Sequence, residues 1–169
     1  ALFLYLISME SDLIFMEVTN RNQILELLSI SNSLFGENYH NFNYFKSSNK
    51  DCVIAAYFKN EIIGFLKMIT LENNSTKIDC IAIKKKFQRK GVGSNMLSYY
   101  FKKHHKTKNK IIAHAWKSPL GIHAQKLNEK FGMKLKSELG KIWQDECGHT
   151  FICPFKKNSC QCEAILFST

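Results

Sequence analysis

Ile81-Ala82-Ile83 runs straight into Lys84-Lys85-Lys86-Phe87-Gln88-Arg89-Lys90-Gly91-Val92-Gly93-Ser94. The apolar triplet reads as a strand, the basic stretch as a turn, and the two glycines as the opening of a helix. A helix N-terminus presents unpaired N–H groups and a partial positive charge. Glycine lets a ligand approach that backbone closely, and the lysines and arginine add charge. Such a turn can hold a pyrophosphate. The same residues also read as a solvated basic turn before a glycine-capped helix. A GxGxxG fingerprint would need glycine where Met96 stands, and no GxxxxGK[ST] loop is present.

The flanking patterns alternate between strand and helix. Leu13 to Val18 is an apolar run read as a first strand. Asn20 caps a helix that carries Ile24, Leu25, Leu27, Leu28 and Leu34 at helical spacing. Phe35 to Asp51 reads as a loop with room for a short helix. Cys52 to Phe58 and Ile62 to Leu71 are strands joined by the polar turn Lys59-Asn60-Glu61. A second turn, Glu72 to Thr76, leads into a strand over Lys77 to Ile83. Beyond the glycines, Ser94 to His105 places Met96, Leu97, Tyr100 and Phe101 on one helical face. Lys110 to Trp116 is a further strand. Pro119 and Leu120 open a helix with Ile122, Leu127 and Phe131 on one face and Gly132 at its end. Met133 to Trp143 and Cys162 to Phe167 are the last strands. This order predicts an α/β domain with a mixed sheet.

The chain has 169 residues, of which 45% are hydrophobic and 22% charged, a composition that suits one domain with its own core. It has 2 prolines, which excludes collagen-like or Pro-rich architectures. The net charge of +10 points to a polyanion: a nucleic acid, a membrane surface or a phosphorylated cofactor. No apolar run approaches the ~20 residues that span a bilayer, so no membrane partner is expected. The longest, Ala1 to Ile7, lacks the basic start and small-residue cleavage pattern of an export signal. Residues 1–12 read as an extension, with Met9 and Met16 as alternative starts, and 13–169 as a single domain. A reducing, cytoplasmic setting is expected. There the 6 cysteines are thiols or metal ligands rather than disulfides.

Gln88-x-x-Gly91-x-Gly93 after the Ile81–Ile83 strand resembles motif A of the GNAT superfamily of acyl-CoA N-acetyltransferases. Lys110 to Trp116 is similar to that family's next strand. Ala124 to Met133, with Leu127, Glu129, Lys130 and Gly132-Met133, resembles its motif B. The resemblance implies a mixed, mostly antiparallel central sheet flanked by helices and splayed at a CoA cleft. It implies that the main chain of Ile81, Ala82 and Ile83 runs beside the pantetheine arm of acetyl-CoA like an added strand. N–H groups of Arg89, Gly91, Val92, Gly93 and Ser94 would hold the pyrophosphate, with Gln88, Arg89 and Lys90 flanking it. The implied reaction is direct attack of a neutral amine on the thioester. The enzyme holds the reactants together, polarises the carbonyl through a backbone N–H and removes the ammonium proton.

The family often places a proton-donating Tyr in motif B, where this chain has Asn128, and an Asn where it has about Gly121. His123 is the substitute acid, or else an exposed helix residue. Some relatives carry a Glu base at the position of Lys77. Asp79 lies two residues on, so it faces the same side of the strand. Partial desolvation there would raise its pKa towards that of a base; the other reading is a polar residue on the solvent face of an edge strand. Glu72 and His114 are weaker candidates, and a water chain needs no single base. A non-catalytic CoA-binding domain or an RNA-associated module is the alternative function. Lys84-Lys85-Lys86 is assigned to CoA in preference to nucleic acid.

Cys147, Cys153, Cys160 and Cys162, with His149 in reserve, crowd into a loop at about 144–162 with spacing C-x5-C-x6-C-x-C. Four sulfurs can hold a structural zinc, with no position left open for chemistry. They read equally as reduced thiols. The acceptor amine is unidentified. Tyr39, Phe42, Tyr44 and Phe45 either line its site or pack in the core, and the chain is a monomer or homodimer.

Overall fold

The computed structural model describes residues 12–104 and 110–169. The apolar run Ala1–Ile7, nearly all of the 1–12 extension, and His105 and Lys106 lie outside the described residues. In chain order the elements are β1 (Leu13–Glu17), α1 (Arg21–Phe35), a 3-10 turn (Phe42–Phe45), β2 (Asp51–Phe58), β3 (Glu61–Thr70), β4 (Thr76–Ile83) and a second 3-10 turn (Lys85–Phe87). Then come α2 (Val92–His104), β5 (Ile111–Ser118), β6 (Gly121–Ile122), α3 (Gln125–Lys130), β7 (Lys134–Gly140) and β8 (Glu163–Ser168).

Local chemistry sets these boundaries. The Asn20 side chain accepts from the Gln23 N–H while the Gln23 side chain accepts from the Asn20 N–H, a reciprocal capping box at the start of α1. The helix ends at Gly36, whose φ of 105° lies in the region open to glycine. α1 buries Ile24, Leu27 and Ile30 on one face of the sheet, against Val53, Ala55 and Phe65. α2 buries Met96, Leu97, Tyr100 and Phe101 on the other, against Ile54, Ala56 and Leu66. The alternation of β2 thus feeds two cores.

The strands form one 8-stranded sheet in the order β1-β2-β3-β4-β5-β8-β7, with β6 paired to β5. Its named pairs are antiparallel except β4 with β5, which run parallel through Thr76–Ile111, Lys77–Ile112 and Ile78–Ala113. Above those three pairs the strands separate. The separation begins at a bulge: Met68 faces Ile78 and Lys67 faces Cys80, so Asp79 has no partner across the ladder. An extra residue of this kind bends its strand and re-aims its side chain. Beyond the split β5 stays in the sheet through β8, from Ile112–Ser168 to Lys117–Glu163. The expected mixed, mostly antiparallel, splayed sheet is the one observed.

Three local expectations are corrected. Pro119 and Leu120 do not open a helix; they turn β5 back into β6, with Ser118 opposite Gly121. Ser118 Oγ accepts from the Leu120 N–H at 3.1 Å, and Gly121 takes a φ of 109°, so side-chain capping and glycine freedom favour the turn. α3 is therefore confined to Gln125–Lys130. The strand expected to reach Trp143 stops at Gly140, whose φ is 71°. β4 is an interior strand rather than an edge.

Gly64 on β3 lies under the end of β4. A Cβ there would stand 2.5 Å from the Ala82 carbonyl oxygen, and backbone held in a ladder cannot yield as a flexible side chain can. Gly64→Ala is expected to destabilise the domain by about 1–3 kcal/mol, read as a lowered denaturant midpoint with unchanged slope.

Candidate active site

The split between β4 and β5 opens a cleft of about 1660 Å³. Its β4 wall is phased by the antiparallel ladder. The Lys84 N–H donates to the Ile63 carbonyl at 2.8 Å, and Ile83 is opposite Gly64. Hydrogen-bonded and non-bonded pairs alternate along such a ladder. Ala82 therefore directs its main-chain groups to β3, while Ile81 and Ile83 direct theirs into the cleft. The Ile83 carbonyl already accepts from Gln88 Nε2 at 2.8 Å. Of the three residues predicted for the pantetheine strand, Ile81 and Ile83 offer backbone, and Ala82 offers wall.

The glycine turn continues this wall. The Asn95 N–H bonds the Gly91 carbonyl at 3.0 Å as the first bond of α2. Val92, Gly93 and Ser94 therefore have no intrahelical acceptor. Arg89 (φ 59°) and Gly91 (φ 80°) are both left-handed, a curl that turns successive N–H groups inward as an anion nest. A Cβ on Gly91 would meet nothing within 4 Å, whereas one on Gly93 would stand 3.3 Å from Ile81 Cδ1. Gly91 thus keeps the cradle open, and Gly93 lets α2 lie close to β4. Of the neighbouring lysines, Lys84 and Lys86 pair with Glu61 at 2.9 and 3.2 Å, while Lys85 borders the cleft.

Asn128 borders the cleft yet is 2% exposed, and its Nδ2 has no hydrogen-bond partner. A buried donor left unpaired costs about 1–3 kcal/mol, so it calls for an acceptor, such as a bound acyl carrier would bring. His123 stands outside any helix. Its Nε2 is 2.7 Å from Ser118 Oγ and its ring stacks on Trp116 at 4.7 Å between centroids. Burial holds its pKa below the usual 6.5, so at pH 7 the ring is neutral and poorly suited to act as an acid.

Asp79 stands at the mouth of the split. Tyr44 donates to its Oδ2 at 2.6 Å and Lys77 to its Oδ1 at 2.8 Å. Burial raises the carboxyl pKa, but the Lys77 and Tyr44 hydrogen bonds and the charges of Lys77 and Lys67 outweigh it. The net shift is below 3.8, the reverse of the rise expected from the sequence. Lys67 is itself 5% exposed; it donates to the Tyr44 carbonyl at 2.6 Å and lies over the Tyr44 ring. His40 stacks on Tyr44 at 3.8 Å and is pushed down to about 4, mainly by burial. Across the cleft, burial and the Lys77 charge hold His114 below 6.5. The sequence pattern did not single out this Lys67–Tyr44–Asp79 network, because its members come from three separated segments. Of the acceptor-loop aromatics, Tyr39 and Tyr44 border the cleft, Phe45 is fully buried in the core, and Phe42 lies under Arg21.

Cys147, Cys153, Cys160 and Cys162 gather in one buried cluster at the far end of the cleft. Among the described residues, the trio whose ligand atoms all fall within 4.8 Å of one another is instead Glu17, Cys52 and His104. The tail sulfurs are collected but not drawn into so tight a set.

Residues 21–133 match the family model described as Acetyltransferase (GNAT) family. The chain belongs to that family and is an acyl-CoA-dependent acetyltransferase. Solved structures share the fold. One is an aminoglycoside 6'-N-acetyltransferase complexed with coenzyme A (TM-score 0.70, 13% identity, 92% of this chain and 96% of that one). Another is a GNAT family acetyltransferase from Elizabethkingia anophelis with acetyl-CoA bound (0.67, 20%, 94% and 97%). A third is the ribosomal-protein-S18-alanine N-acetyltransferase from Escherichia coli (0.70, 11%, 92% and 92%). No curated protein matches the chain.

Because the folded carboxyl pKa is depressed, Asp79 contributes stability above its unfolded value that is lost as pH falls through the folded one. Followed by NMR, Asp79 is expected to titrate below 3.8, and Tyr44→Phe to raise that value. A titration at or above 3.8 in the parent chain contradicts the hydrogen-bonded geometry.

Proposed function

We propose that this acetyltransferase transfers an acetyl group from acetyl-CoA to a cationic primary amine by direct attack. The observation that carries the proposal is a cleft with a backbone anion cradle along one wall and, where β4 and β5 part, a carboxylate held ionised beside aromatic rings. Acetyl-CoA, when bound, supplies an acyl thioester. The residues fit it: the inward N–H groups of Arg89 to Ser94 suit a pyrophosphate, the cleft-facing main chain of Ile81 and Ile83 suits an amide-bearing arm, and Asn128 Nδ2 offers a donor.

Asp79 attracts the acceptor ammonium and orients it; a carboxylate so well hydrogen-bonded is a counter-ion rather than a strong base. His114, neutral at pH 7, takes the proton that the ammonium must lose before its nitrogen can form the new C–N bond; the thioester C–S bond would break as that bond forms, and the departing CoA thiolate would take the second nitrogen proton and leave as the thiol. Asn128, at the position where the family often has Tyr, donates a hydrogen bond without giving up a proton. His123 positions the Trp116 ring and the β5–β6 turn. Among the described residues no helix is long and apolar enough to cross a membrane. The tail thiols fit a reducing cytoplasm, where we place the reaction.

Acetyl-CoA at a hundred times its dissociation constant is expected to stabilise the protein by about 2.7 kcal/mol, and Gly91→Glu to abolish the effect. Release of CoA would then be followed with polyamines, aminoglycosides, lysine peptides and neutral amines. Asp79→Asn is expected to raise the KM of a cationic acceptor about tenfold, or about 1.4 kcal/mol, with acetyl-CoA affinity unchanged. His114→Gln is expected to lower kcat and to remove a rise of activity with pH centred below 6.5. No thermal shift with acetyl-CoA, or no turnover of any amine, would overturn the reading.

A further inference from the structure

The proposed acetyl transfer makes no use of the buried cysteine cluster. Residues 141–162, between β7 and β8, contain neither helix nor named strand; the pairing there is an isolated bridge between Cys147 and Phe151. A connection of that length inside a compact domain needs something to hold it. It nevertheless buries all four sulfur-bearing residues, with Cys147 at 4%, Cys153 at 7%, Cys160 at 4% and Cys162 at 2% exposure.

The sulfurs face one another. Cys153 Sγ and Cys162 Sγ are 3.8 Å apart, and the Cys147 thiol adjoins those of Cys160 and Cys153. With Zn–S bonds of ~2.3 Å, a tetrahedron has an S–S edge of ~3.8 Å, the separation already present at Cys153 and Cys162. N–H donors address the same two sulfurs. The Phe155 N–H donates to Cys153 Sγ at 3.4 Å, and the Trp116 indole donates to Cys162. Such N–H···S bonds form the outer shell of metal–thiolate centres. Lys156 lies across Gly148, where a Cβ would stand, and offsets the negative charge that four thiolates on a divalent ion leave behind. Soft four-sulfur sets select zinc among divalent ions of fixed oxidation state. His149 is exposed and is not needed.

We propose that Cys147, Cys153, Cys160 and Cys162 bind a structural Zn²⁺ that fastens residues 141–162 as the wall of the cleft's acceptor end. Four Zn–S bonds form as four thiols release their protons to solvent, with no change of oxidation state. The metal draws the sulfurs from their looser cluster into a closed cage. Trp143 and Phe155 of the same segment border the cleft beside them, so the metal sets the acceptor wall while leaving the cradle at Gly91 untouched. The Glu17–Cys52–His104 trio offers three ligands of mixed type with Glu17 exposed, whereas a structural zinc takes four.

The test uses the full chain purified with zinc and without chelator. Metal analysis is expected to give about one zinc per chain, and Co²⁺ substitution to give the intense thiolate charge-transfer and tetrahedral ligand-field bands of a four-sulfur site. Cys160→Ser is expected to lose the metal and Cys52→Ser to keep it. Because Cys160→Ser risks misfolding, chelation of the parent chain provides the second readout: Tm falls and returns on adding Zn²⁺ alone. The proposal is overturned by a chain that holds no zinc with its tail thiols reduced, by a Cys153–Cys162 disulfide found by mass spectrometry, or by zinc lost in Cys52→Ser. None of these outcomes depends on turnover, so the metal and the acceptor assignment fail separately.

Discussion

The partnership of β4 and β5 for only three residues is the constraint from which the rest of the site follows. Parallel strands that remained paired would saturate each other's backbone and leave no cleft. Here Asp79 is inserted without a partner opposite, the strand bends, and pairing with β5 ends at Ile78 and Ala113. Three consequences share that cause. Ile81 and Ile83 keep main-chain groups turned into the gap. The carboxylate of the bulged residue stands at the gap's mouth. The strand ends free to deliver the glycine turn to the start of α2. An unpaired strand edge is ordinarily a liability; here it lies within a cleft walled by β5 and α3, where only an elongated ligand can add to it.

Charge is placed on the same logic. Lys67 is nearly buried, and burying an ammonium is costly unless it is bonded. It is held by the Tyr44 carbonyl and the Asp51 carboxylate. With Lys77 it keeps Asp79 ionised in spite of burial. A carboxylate stabilised in this way has lost proton affinity, so the arrangement suits attraction of a cation better than abstraction of its proton. In the proposed reaction the neutral imidazole of His114 supplies the missing basicity from the opposite strand, so that binding and deprotonation would fall to separate residues.

What could be read from the sequence divides along sequence distance. The strand–turn–glycine–helix unit spans residues 81–94, and its cues are local: an apolar triplet, a basic turn and two glycines. The meander and α1 with its cap were legible for the same reason, whereas the splay was implied only by the resemblance to the GNAT family. The β5–β6 turn was misread as a helix because Ile122, Leu127 and Phe131 keep helical spacing while Ser118 and Gly121 decide the backbone. At the proposed acceptor end the sequence offers Asp79 and Tyr44 singly but not their meeting. Tyr44, Lys67 and Asp79 meet across three segments, and whether Asp79 is raised or lowered depends on which partners reach it rather than on burial alone.

The two ends of the cleft are consequently built to different tolerances. The cofactor end is backbone geometry, so its side chains can vary while glycines and strand phase persist. The acceptor end consists of side chains carried by the segment before β2 and by the long β7–β8 connection, neither of which shares a strand ladder with the splay. A wall of irregular backbone holds a pocket's shape only if something other than a ladder immobilises it. In the first segment this is done by Phe45 driven into the core against Phe65 and by the His40–Tyr44 stack. In the second, the buried groups equivalent to that anchor are Phe151 and four cysteines, with Trp143 and Phe155 packed against them. Packing of these rings fixes side chains along 22 residues (141–162) of otherwise irregular backbone, and the proposed Zn²⁺ would add bonds between its four thiols to that burial.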